Sequence, residues 1–247
     1  MIRANCRSRF TADDFAFITA TLSKGPQNRV ALTELLTDED VRDQILDHEL
    51  LFSAIVRNSG LSNISPFLYF YVLTRKAFLE HKIPDRDMAD YVACMLAEFC
   101  STKRAHTISK YHQKLYHYLT DLMCDFIDAS SYEAFLMRSH VGNYALFMTG
   151  IFPDYVYRKA TYGRRAPGFD YYEKMGSNSY RWAAQHKLAT KYSLVQTLSN
   201  LAEQFRYVRI ALNRLADDYI ALDKQGERMD KMLRQIFFGN PNKRTDS

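Results

Sequence analysis

The stretch LVQTLSNLAEQFRYVRIALNRLADDYIAL, residues 194–222, decides the fold class. Leu194, Leu198, Leu201, Phe205, Val208, Leu212, Leu215, Tyr219 and Leu222 follow one another at alternating steps of four and three without a miss. That spacing puts every apolar side chain on one helical stripe and predicts one continuous helix of about 45 Å at 1.5 Å per residue. A two-stranded coiled coil would flank the seam with charge. Here Val195, Ala202, Ala211 and Ala216 stand beside it. Small apolar flanks widen the stripe, so the helix is expected against two or three neighbours in a bundle; a homodimer through the seam is the alternative.

The same period extends through most of the chain. Thr11 followed by Asp13 and Asp14 reads as an N-cap, with Phe15, Ile18 and Leu22 on one face and Gly25-Pro26 as the stop. Asp38 caps the next pattern, in which Val41, Ile45, His48, Phe52 and Ile55 predict a single helix ending at Gly60. Ser65-Pro66 opens a segment apolar all round and therefore central. Pro84-Asp85 opens another, with Met88, Val92, Met95 and Phe99 on its face. A helix over 109–128 carries Leu115, Leu119, Leu122 and Phe126, and Ser130 or Ser131 starts one that runs to Gly150. Phe152-Pro153 breaks the pattern, and Gly163 to Gly168 is the clearest loop. The expectation is an all-α, multi-helix bundle with one long heptad-patterned C-terminal helix. It forms a single domain over 1–238, with a sub-unit boundary near 152–168 and a flexible tail over 239–247.

Composition agrees with that reading. Of 247 residues 47% are apolar and 25% charged, an ordinary globular balance that excludes general disorder and collagen-like architectures. Nine Gly and six Pro are few for an all-β chain that needs frequent turns. The four cysteines Cys6, Cys94, Cys100 and Cys124 include no CxxC pair, which argues against a disulfide scaffold or a Cys-rich zinc site. Arg3, Arg7 and Arg9 are followed by no apolar core of a secretory signal, and the apolar run Pro66 to Leu73 is far short of a membrane span. A cytoplasmic protein with free thiols and no membrane partner is the expectation.

Net charge is +5, distributed unevenly. Residues 1–150 carry 16 Lys+Arg against 18 Asp+Glu, a balance of −2, and residues 151–247 carry 17 against 10, a balance of +7. A basic C-terminal part points to an anionic partner or ligand, protein or nucleic acid. The excess concentrates in 155–192, where Arg158, Lys159, Arg164, Arg165, Lys174, Arg181, Lys187 and Lys191 face only Asp170 and Glu173. Tyr155, Tyr157, Tyr162, Phe169, Tyr171, Tyr172, Tyr180, Trp182 and Tyr192 are interleaved. Guanidinium groups among stacking rings suit phosphate or single-strand recognition, and equally a protein interface. Packing rings and snorkelling arginines account for part of the pattern. Upstream, His140, Asn143 and Tyr144 interrupt an otherwise apolar helix; they form either an internal polar network or the floor of a site.

Two other constellations carry less. His117, Asp121, Cys124 and Asp128 share one helix line, but it lies opposite the stripe of Leu115 to Phe126, so a solvated acidic face is expected rather than a metal site. Arg42/His48, Arg75/His81 and Arg181/His186 fit the Arg-x(4–6)-His spacing of metal-independent helical ribonucleases, a spacing that chance supplies about twice in such a chain. No P-loop, GxGxxG, GxSxG or HExxH pattern occurs, and no cofactor is implied.

Val141-Gly-Asn-Tyr-Ala-Leu-Phe-Met-Thr-Gly-Ile-Phe-Pro153, followed by Asp170-Tyr-Tyr-Glu-Lys-Met-Gly-Ser-Asn-Ser-Tyr-Arg-Trp-Ala-Ala184, resembles blocks of an uncharacterised bacterial all-helical family. The resemblance implies no activity, only that the two blocks belong together. The expected function is a non-enzymatic binding or regulatory module whose site is Arg158, Arg164, Arg165, Tyr171, Tyr172, Tyr180 and Arg181, with His140, Asn143 and Tyr144 beneath. The alternatives are a single-stranded RNA or DNA binding protein on the same surface and an Arg/His ribonuclease.

Overall fold

The computed structural model describes residues 2–57, 64–100, 130–162 and 167–220, and among them every regular element is helical. The chain divides into two compact units, Ala4–Cys94 and Met95–Ser247 with Met1–Arg3. The dividing line runs through a helix, away from the 152–168 stretch that the sequence marks. The helix expected over 109–128, with His117, Asp121, Cys124 and Asp128, lies outside the described residues. So do Arg164, Arg165, Leu222 and the tail over 239–247.

In the first unit a 3₁₀ turn, Arg7–Arg9, precedes α1 (Ala12–Leu22), α2 (Pro26–Leu35), α3 (Glu39–Leu46), α4 (Glu49–Arg57), α5 (Pro66–Glu80) and the start of α6 (Arg86–Phe99), whose residues from Met95 onward belong to the second unit. Thr11 and Asp14 form a reciprocal capping box at the start of α1. Asp14 then reaches the next cap: its carboxylate accepts from Ser65 N at 2.7 Å and Ser65 Oγ at 2.6 Å, fixing the start of α5. As its all-round apolar pattern predicts, α5 buries Leu68, Phe70 to Arg75, Ala77 and Phe78. Met88, Val92, Met95 and Phe99 of α6 are buried as well.

Ionic contacts complete this unit. Buried Asp90 accepts from the backbone N–H of Cys6 at 2.8 Å and of Arg7 at 2.9 Å. The Arg7 guanidinium continues to Asp43. Asp47 is shared by Arg75 and Arg86. Buried carboxylates are tolerated when their lone pairs are used in this way.

Two local readings are corrected. The helix expected from Asp38 to Gly60 breaks at Asp47-His48 into α3 and α4, and His48 is exposed rather than part of an apolar stripe. Its Nδ1 accepts from Leu50 N at 3.1 Å, so a ring capable of capping competes with helix continuation. Gly25-Pro26 does not only stop α1: Pro26 is the first residue of α2, which buries none of its residues and so shows no apolar period to read.

The second unit holds α7 (Ser131–Ile151), α8 (Pro153–Tyr162), α9 (Phe169–Ala184), α10 (Lys187–Lys191), α11 (Val195–Glu203), α12 (Phe205–Leu215) and a π turn, Ala216–Ile220. Ser130 and Glu133 form the capping box of α7. Pro153 opens α8 where a bare interruption was expected. The continuous C-terminal helix is also corrected. Leu194, Leu198, Leu201, Phe205, Val208, Leu212 and Leu215 are all buried, with Ala202, Ala211 and Ala216 beside them, but the helix breaks at Gln204 (φ −101°, ψ 14°). Ser177 Oγ of α9 donates to the Ala202 carbonyl at 2.6 Å, taking the acceptor that Arg206 N–H would use in an unbroken helix.

Packing centres on α9, which lies between α7 and α11 and also meets α12. The two sequence blocks 141–153 and 170–184 therefore meet as neighbours. Close approach depends on two glycines. A Cβ at Gly142 would lie 2.6 Å from the Tyr180 ring. One at Gly176 would lie 2.9 Å from Ala145 Cβ and closer still to the Phe205 ring. Both rings are buried and cannot swing away. Gly176→Ala is accordingly expected to destabilise the protein by about 1–3 kcal/mol through overpacking, read as a lower urea midpoint at unchanged slope. An unchanged or raised midpoint would show that the ring does not rest on that glycine.

Candidate functional site

The expected site residues separate into a buried and an exposed group. Tyr180 is fully buried and its hydroxyl donates to Asn143 Oδ1 at 2.8 Å. His140 is buried too, with its ring centroid 5.8 Å from Phe99 and 6.4 Å from half-buried Tyr144. His140, Asn143 and Tyr180 are thus brought together inside the unit. Tyr172 is half-buried beneath exposed Tyr171, the rings edge to face at 6.0 Å, and burial pushes its phenol up to about 12. Arg158 stands exposed on α8, and Arg181 exposed on α9.

The exposed face of α9 is the chemically distinctive feature. At about 100° per residue, Tyr171, Lys174, Asn178, Arg181, Trp182 and Gln185 fall within about 100° of one another, and all six are exposed. Packing of α9 on α7 and α11 through the opposite side, by Gly176, Ser179, Tyr180 and Ala183, leaves this face outward. Trp182 is 57% exposed, which is unusual for the chain's one tryptophan. The Arg138 guanidinium of α7 lies 4.5 Å from the indole centroid, a cation–π contact. Burial lowers the pKa of that guanidinium from its ordinary value.

Carboxylates are largely withdrawn from the face. Glu173 accepts from Arg209 Nε at 2.6 Å, both groups being mostly covered. Arg209 also donates to Asn213 Oδ1, and Asn213 Nδ2 donates to the Thr149 and Gly150 carbonyls at the end of α7. Glu173 therefore serves as a tie between α9 and α12. Asp170 remains, in the first turn and at the edge of the face, where the helix N-terminus favours it. Among the described residues neither Lys174 nor Arg181 has an ion-pair partner; Arg181 donates to Asn178 Oδ1 at 2.8 Å.

His186 sits between α9 and α10 and meets Ser131. Its Nε2 is 2.8 Å from Ser131 Oγ, while Nδ1 accepts from Leu188 N–H at 3.1 Å. A neutral ring whose Nδ1 accepts must carry its proton on Nε2, which then donates to the serine oxygen. That polarity is the reverse of what a base activating serine requires. The ring also stacks on Phe135 at 5.2 Å, so His186 acts as a helix cap held by packing. Of the other Arg/His pairs, Arg75 is buried against Asp47, and His48 caps α4.

Arg138, Lys174 and Trp182 were not singled out as site residues by sequence reasoning. The available signal was the helical face itself, since Lys174, Asn178, Arg181 and Gln185 follow one another at steps of three and four. Arg138 gave no local signal, being carried in by the α7–α9 contact. Comparisons of the chain with protein-family models, with curated proteins and with solved structures give no match. No helix among the described residues is long and apolar enough to cross a membrane.

Within the inner group, the buried Tyr180–Asn143 hydrogen bond ties α9 to α7. Tyr180→Phe is expected to cost about 1–2 kcal/mol through the loss of its buried hydrogen bond to Asn143 Oδ1. The check is urea unfolding beside retention on an anion-bearing matrix. Stability should fall while retention stays as in the parent protein, and lost retention at full stability would place Tyr180 in the binding surface.

Proposed function

We propose that the protein is a non-enzymatic binding or regulatory module that recognises an anionic partner through the open face of α9. The observation that carries the reading is Trp182, exposed and backed by Arg138, on the same face as Lys174 and Arg181, neither with an ion-pair partner among the described residues. Exposed unpaired cations contribute little to folding. They are well placed to meet an external carboxylate or phosphate, with arginine in bidentate fashion. Further cations lie on neighbouring helices of the unit: Lys187 and Lys191 on α10, Arg206 and Arg214 on α12, all exposed.

The test is Lys174→Ala with Arg181→Ala. The double variant should keep its melting temperature within about 2 °C, since exposed charges contribute little to stability. It should elute from heparin at distinctly lower salt. If the partner is a polyphosphate, the slope of log affinity against log salt should fall by about 1.4–1.8, the share of two phosphate contacts. Retention equal to that of the parent protein would exclude this face as the binding surface.

A further inference from the structure

We propose that the ligand of the α9 face is single-stranded nucleic acid, with Trp182 as the platform on which a base stacks. This rests on the anion-binding reading above and adds the chemical class of the ligand. Trp182 is 57% exposed although the Arg138 guanidinium lies 4.5 Å from its indole centroid. A flat ring held by a cation and still more than half exposed can accept the π-face of any base.

The second exposed ring on this face, Tyr171, is eleven residues away, about 16 Å along the helix at 1.5 Å per residue. Between the rings the face presents Lys174, Asn178 and Arg181, with no exposed aliphatic side chain. A protein interface also uses Tyr, Trp and Arg anchors, but clusters them together in a desolvated centre. Here the rings stand apart and cations lie between them. Bases separated by several phosphates match that order, since rings take bases and the intervening Lys174 and Arg181 take the backbone. A duplex hides the π-faces of its bases in the stack, which selects for single strands.

Trp182, the one tryptophan of the chain, reports on the contact directly. Its emission is followed on titration with oligo(dT) and oligo(U) of about 16 nucleotides. The comparison ligands are a blunt duplex, inorganic polyphosphate and poly-glutamate. Single strands of one or both sugars should quench the emission and bind more tightly than the three comparison ligands. In anisotropy with a labelled strand, Trp182→Ala should weaken binding by about 5- to 150-fold, and Trp182→Phe should retain most of it. Circular dichroism confirms that both variants are folded. Equal binding of polyphosphate and single strands, indifferent to Trp182→Ala, would overturn the base-stacking inference and leave the anion-binding reading standing. Preference for poly-glutamate would do the same in favour of an acidic protein partner. Binding of none of these ligands would overturn both.

Discussion

Two aromatic rings seated on two glycines set the geometry of the second unit. Tyr180 rests on Gly142 and Phe205 on Gly176, so α7, α9 and the α11–α12 pair approach more closely than side chains at those positions would permit. The rings supply the apolar area, and dense packing makes the arrangement intolerant of even one added methyl group. Polar ties sharpen it: Tyr180 to Asn143, Ser177 to the Ala202 carbonyl, and the path Glu173–Arg209–Asn213 to the end of α7. These contacts use one side of α9 and thereby assign the other side to the exterior.

That assignment links packing to the proposed binding surface. A helix that buries Gly176, Ser179, Tyr180 and Ala183 must turn Lys174, Asn178, Arg181 and Trp182 outward. The same packing places Arg138 behind the indole and draws Glu173 into Arg209. One structural decision therefore yields a supported ring and, among the described residues, two exposed cations without ion-pair partners.

Much of the fold was legible in the residues. Caps at Thr11, Ser65 and Ser130 and the stripes of α5 and α6 read correctly because each is local: a cap spans three residues and a stripe a few turns. The burial of Leu194 to Leu215 was legible for the same reason. The break at Gln204 was not, because the donor that competes for the Ala202 carbonyl is Ser177, 25 residues upstream in the chain. For α2, the absence of any buried residue removed the periodic signal itself. At the candidate site, composition drew attention to the basic and aromatic segment. It could not separate Tyr180, which packs, from Tyr171 and Trp182, which face outward. That separation follows from the phase of α9 against its neighbours, which only tertiary contact fixes.

The proposed binding surface requires that Trp182 lie in a field of positive sign. Collisional quenching of its fluorescence by iodide and by caesium at low ionic strength tests this most directly. Iodide should quench severalfold more efficiently than caesium, and the ratio should fall towards one as inert salt screens a field whose range is about 10 Å at 0.1 M. Equal quenching by the two ions at low salt, or a preference for caesium, would contradict the account.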